Sequence, residues 1–165
     1  MPSREASVLS CLLEQHAAAS PGRIFVRFES GETWTFAQTL AKTRHTAAAL
    51  RRLGVNAGDN VLVWLPNDAD LLRIWFAVNH LGATLVPINT AYRGKLLQHV
   101  ITLSGAALMI AHASLAGRLA DIGLTPLRTV VVCGGEAADP GPAYRVLSAE
   151  HLESAEPVES AYPAE

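Results

Sequence analysis

"NVLVWLPNDADLLRIWFAVNHLGATLVPINTAYRG", residues 60–94, decides how this chain folds. A short apolar run ends at Pro66, a polar cluster follows, apolar residues then recur at helical spacing, and a second short apolar run is stopped by Pro87. Strand, helix, strand in that order, with continuous rather than alternating apolar strands, predicts a parallel sheet covered on both faces. Gly82 suits the left-handed position after a helix, and Pro87 suits a strand's last residue. Asn67 is placed to cap the helix 68–81, with Asp68 and Asp70 at the positive end of its dipole. The loop beyond Pro87 carries Arg93. Ligands of α/β proteins sit in loops past the carboxyl ends of parallel strands, so this loop is a candidate site as well as a connection.

Downstream the rhythm continues through a helix at 94–104, the strand "ALMIA", a short helix at 114–121 and the strand "RTVVVC". Upstream, Val8, Leu9, Leu12, Leu13 and His16 fall on one helical face, and "SPG" closes that helix. "RIFVRFESGETWTF", 23–36, alternates around a Ser-Gly turn and predicts a β-hairpin. Thr35 then caps a long helix from Phe36 to Leu53. Its apolar face is expected at Leu40, Ala47, Leu50 and Leu53, with Lys42, Arg44, Arg51 and Arg52 on the wet side. After Gly135 the pattern is lost, and "ESAEPVESAYPAE" reads as an acidic, proline-containing linker. The expected organisation is therefore one α/β domain over 1–150, with 151–165 as a disordered linker or tail.

Half of the 165 residues are hydrophobic and the net charge is -2, which fits a globular chain. Thirteen Lys and Arg are scattered among fifteen Asp and Glu without a basic run, so nucleic acid is not an expected partner. No apolar run reaches the roughly 20 residues that span a bilayer, so no transmembrane segment is expected. Cys11 and Cys133 match no metal or redox spacing. They are read as two reduced, buried thiols in a cytoplasmic protein.

The chemistry-bearing patterns are mostly missing. The first strand-to-helix turn is "LPNDAD", not a Gly-x-Gly-x-x-Gly turn, and its acids would repel a phosphate. "CGGE", 133–136, lacks a following helix and a Lys-Ser/Thr pair, so it reads as a simple turn. The six histidines, at 16, 45, 80, 99, 112 and 151, form no ligand spacing, and zinc is not supported. Without a Gly-x-Ser-x-Gly elbow, Ser104 and Ser114 read as caps or turn residues. Trp34, Trp64 and Trp75 belong to a core or an interface. Arg93 and Arg118 could each hold a phosphate bidentately or pair with a surface acid, but together they supply neither nucleophile nor base. No catalytic, cofactor-binding or metal-binding residue is assigned.

Taken in order, "WTFAQTLAKTRHTAAALRRLGVNAGDNV", "LPN", "LGATLVPIN" and "TAYRGKLLQHVITLSGA" resemble the N-terminal part of the adenylate-forming, AMP-binding acyl-CoA synthetases. The resemblance spans 33–111 most clearly, and "NTAYRG" leans toward the carnitine- and medium-chain acyl-CoA ligase branch. It implies an incomplete N-terminal domain of that fold, in which the hairpin and helix of 23–53 are loosely held. It also implies ATP, Mg²⁺ and CoA as cofactors of the intact enzyme, and puts loop 88–93 near the approach of CoA. Lys95 departs from the family, which usually has an acid there. The family's Thr-Ser-Gly-Thr-Thr-Gly phosphate loop and later motifs do not occur in the 165 residues. The reading is thus a truncated scaffold, inactive alone, whose partner is the rest of the synthetase. The alternative is a stand-alone α/β interaction or small-ligand module.

Overall fold

A computed structural model describes residues 8–123, 125–136, 139–153, 156 and 160–161. The elements are α1 (Leu9–Ala19), β1 (Ile24–Arg27), β2 (Thr33–Thr35), α2 (Phe36–Arg52), β3 (Asn60–Trp64), α3 (Ala69–His80), β4 (Thr84–Pro87), α4 (Gly94–Ser104), β5 (Leu108–His112), α5 (Ala113–Ala116), β6 (Thr129–Cys133) and β7 (Arg145–Ser148), with 3₁₀ turns at Gly117–Leu119 and Ala149–Leu152. They fall into two compact units whose boundary runs through α3.

One unit, residues 58–71 and 84–151, is built on a five-stranded sheet in the order β4-β3-β5-β6-β7. Every neighbouring pair is parallel. Leu62 lies opposite Val86 and Met109, and Met109 opposite Val130, so same-face residues line up across the sheet. Leu62, Trp64, Met109, Ala111, Val130 and Val132 form one buried cluster with Leu97 and Ile101 of α4 and with Leu115, Leu119 and Leu127. Their neighbours Val61, Val63, Leu108, Ile110 and Val131 are buried too, which is why these strands read as unbroken apolar runs. The expected parallel α/β sheet flanked by helices is present.

Three details differ. The short helix expected at 114–121 is one α-turn, Ala113–Ala116, tightened into a 3₁₀ turn. β7 is an additional strand that hydrophobic patterning did not show, because only Leu147 of its four residues is buried. Asp68, not Asn67, caps α3: its carboxylate accepts the Leu71 N–H at 2.9 Å.

The other unit comprises the described residues of 1–57, 72–83 and 152–165. The hairpin β1–β2 is antiparallel, with Gly31 at φ +88 in its turn. Thr35 and Gln38 exchange hydrogen bonds in a capping box at the start of α2. The buried face of α2 is Thr39, Thr43, Thr46, Ala47, Ala48, Ala49 and Leu50, whereas Leu40 and Leu53 stay partly exposed. Lys42, Arg51 and Arg52 are exposed as expected, but Arg44 is half-buried and pairs with Glu14 at 3.2 Å. On α1 the buried residues are Ser10, Cys11, Leu13 and Ala17; His16 is exposed and stacks on Phe36. α3 closes with Gly82 at φ +70, its N–H bonded to the Asn79 carbonyl and that of Ala83 to the Val78 carbonyl. Those paired bonds are the Schellman closure that Gly82 predicts.

Of the stretch 151–165, residues 154–155, 157–159 and 162–165 lie outside the described residues. Among the others Leu152 is fully buried, Glu153 approaches Arg73 at 3.7 Å, and the Ala161 N–H donates to the His80 carbonyl at 2.8 Å. Cys11 and Cys133 are both buried and neither is in a disulfide. No described helix is long and apolar enough to cross a membrane.

Candidate functional site

In the sheet unit the parallel strands all release their following residues at one edge: 65–68 after β3, 88–93 after β4, 113–114 after β5 and 134–136 after β6. The 88–93 loop is the most organised of these. Its first residue, Ile88, is tied to β3 through an N–H to the Val63 carbonyl at 2.9 Å. Asn89 then turns the chain: its side-chain oxygen accepts the Ala91 N–H at 2.8 Å, and its carbonyl accepts the Tyr92 N–H at 3.0 Å. An Asx side chain mimicking a backbone turn is the physical reason for asparagine here. The Asn89 carbonyl also accepts the Trp64 Nε1–H at 3.1 Å, and the Thr90 carbonyl accepts Arg118 Nη1–H at 2.7 Å. Arg118 lies over the Trp64 ring, 5.7 Å from its centroid.

The two candidate arginines therefore have different situations. Arg118 is committed to the loop backbone. Arg93 is exposed, and its guanidinium makes no ion pair or hydrogen bond among the described residues. It sits at the N-cap of α4 in extended conformation, φ -149 and ψ 160, without a side-chain cap, and no acid stands in the first turn. Lys95 adds a second cation there. The N-terminus of α4 is thus electropositive and open, the polarity that suits an anion.

A second arrangement joins the ends of β5 and β6. His112 Nδ1 accepts the Ser114 N–H at 3.2 Å and lies 2.8 Å from Ser114 Oγ, so His112 caps α5 and Ser114 is the turn residue expected of it. Its Nε2 side faces Gly134 so closely that a Cβ there would stand 2.3 Å away. "CGGE" is a turn with Gly134 at φ +79 and Gly135 at φ +120, and the first of these glycines also makes room for the imidazole.

The turns after β3 and β6 differ in make-up from a phosphate loop. A phosphate loop needs a run of backbone N–H groups with hydroxyls and a lysine, whereas the β6 turn is filled by an imidazole and followed by Glu136. The N-terminus of α3 is occupied by the Asp68 carboxylate. Among the described residues no group of three His, Cys, Asp or Glu side chains could hold a metal ion. Two further residues shape this loop: Trp64, which the sequence places in a core or an interface, and Asn89, for which an asparagine after a strand-ending proline is the available turn signal.

Comparison with known proteins places this arrangement. The model of the AMP-binding enzyme family matches residues 13–162, and the chain belongs to that family. The protein YngI of Bacillus subtilis is 37% identical over 112 residues, which are 67% of this chain and 20% of that protein. A ring-substituted propanoyl:CoA ligase of Rhodococcus jostii is 32% identical over 136 residues, 77% of this chain and 26% of the ligase. Among solved structures, a fatty acyl CoA synthetase of Mycobacterium tuberculosis superposes with a TM-score of 0.73 at 27% identity, covering 94% of this chain and 30% of that one. The chain spans 20% and 26% of the length of these two curated relatives.

Proposed function

We propose that this chain is the N-terminal scaffold of an ATP-dependent acyl-CoA synthetase and that residues 1–165 do not perform the reaction alone. The complete enzyme would join a carboxylate to AMP with release of pyrophosphate, then pass the acyl group to the thiol of CoA with release of AMP. ATP, Mg²⁺ and CoA are its cofactors, and the partner of this scaffold is the remainder of such a synthetase. The observation that carries the reading is the family match across 13–162. Both steps depend on positioned phosphates and preorganised charge, and among the described residues Arg93 and the N-terminus of α4 are what the open edge of the sheet offers toward them. The scaffold is residues 1–150, with 151–165 as a linker or tail. Two buried, unbridged thiols suit a cytoplasmic location.

Two assays test this. The 165-residue chain should give no heat with Mg²⁺-ATP and no carboxylate-dependent pyrophosphate. Even millimolar affinity requires about 4 kcal/mol, and exposed charge pairs contribute a fraction of that. A chimera carrying this chain in place of the matched 136-residue region of the Rhodococcus jostii ligase should release pyrophosphate above the blank. A folded but silent chimera would contradict the scaffold reading. Micromolar ATP binding by the chain alone, abolished by Arg93→Ala, would replace that reading with a stand-alone ligand module.

A further inference from the structure

We propose that Arg118 is the positioning residue of the 88–93 loop: it fixes the backbone course that presents Arg93 and does not itself receive a ligand. The proposal deepens the reading above, since it rests on this loop facing the ligand.

Four observations converge. The Arg118 Nη1 to Thr90 oxygen distance, 2.7 Å, is that of a charge-assisted hydrogen bond. Arg118 is only partly exposed, and among the described residues no carboxylate lies within ion-pair distance of it. A half-buried cation needs compensation, and here a peptide carbonyl and the face of Trp64 supply it. Trp64 is itself fully buried and spends its one donor on the adjacent carbonyl, that of Asn89.

Two consecutive carbonyls are therefore held by two side chains in cation–π contact with each other, one from β3 and one from the 3₁₀ turn Gly117–Leu119. The Asx turn at Asn89 closes the loop from within, and Trp64 with Arg118 anchor it to the sheet. For Arg118 to grip a phosphate it would have to release Thr90 and leave that anchor. Arg93, three residues further along, has no such engagement and carries the charge outward.

Amide hydrogen exchange on the ligand-less chain tests the assignment, independently of any ATP or CoA assay. Arg118→Met should accelerate exchange at Ala91 and Tyr92 about tenfold while leaving the amides of β3 and β5 unchanged. Arg118→Lys keeps a cationic donor without the flat stacking surface and should fall between parent and methionine variant. Trp64→Phe, which removes the indole donor to Asn89 and narrows the ring beneath Arg118, should also accelerate Tyr92. Unchanged exchange at Ala91 and Tyr92 in Arg118→Met would overturn the proposal. Acceleration spread evenly through the sheet would overturn it too, because it would make Arg118 a general stability residue. Equal rates in the lysine and methionine variants would do the same by assigning the effect to packing alone. Failure of the pyrophosphate assay would leave these exchange results untouched and count only against the functional reading.

Discussion

In the sheet unit the interior is mostly aliphatic: Leu62, Met109, Ile110, Leu97, Ile101 and Leu119 are all fully buried, and the sheet sets Leu62 opposite Met109. In the helical and hairpin unit the interior is partly polar. α2 turns Thr39, Thr43 and Thr46 inward, α3 buries Arg73 and His80, and α1 buries Ser10, whose N–H donates to the Asn79 side chain at 3.0 Å. Arg73 donates to Thr46 Oγ1 at 3.3 Å. Aliphatic burial stabilises in proportion to area wherever shape is matched. Polar burial must first recover desolvation, and it does so only where partners are in place. The Oγ atoms of Ser10 and Thr43 have no hydrogen-bond partner among the described residues. The two units should therefore respond differently to the same kind of substitution.

The largest expected effect is in the sheet. Met109→Ala removes a fully buried side chain from the middle of β5 and should cost about 3 kcal/mol in denaturant unfolding. A loss below about 1 kcal/mol would mean that the sheet core collapses around the cavity more easily than its packing implies. Next comes Gly82→Val, which forces a β-branched residue to φ +70 at the end of α3 and should cost about 1 kcal/mol or more. An unchanged midpoint would mean that α3 can end without its left-handed glycine.

Thr43→Val probes the polar interior with the opposite sign. Replacing a buried, unpartnered hydroxyl by a methyl group of similar volume should leave stability unchanged or raise it by up to about 1 kcal/mol. A clear loss would show that the hydroxyl has a partner and that the contrast between the units is overstated. The smallest effect is at Tyr144, in the sheet unit. Burial pushes its phenol above the ordinary 10.0. The folded state then favours the neutral form, so this contribution is intact below that value and is lost as pH rises through the folded pKa. Unfolding measured from about pH 9 upward should show a small decline that Tyr144→Phe removes.

The same contrast explains what could be read from the sequence. Residues 60–111 announce themselves because apolar runs of strand and helix length alternate, and each of β3, α3, β4, α4 and β5 is found there. Thr35 and the apolar spacing predict α2 and turn Ala47 and Leu50 inward, as found, but they do not show its buried threonines. Leu40 is apolar but half-exposed beside Ala37 and Arg44, whereas Thr39 and Thr43 are polar by type and fully buried. β7 was invisible because backbone pairing with β6, not side-chain burial, defines it. At the candidate site, Arg93 and Arg118 were indistinguishable as residue types. Only the folded positions of Thr90 and Trp64 separate them.

Amide hydrogen exchange across the whole chain tests most directly the claim that the aliphatic sheet is the stable scaffold and the polar-cored unit the weaker one. The expected result is protection at 61–65 and 108–112 at least about tenfold greater than anywhere in 24–53. Equal protection in the two stretches, or stronger protection in α2, would contradict it.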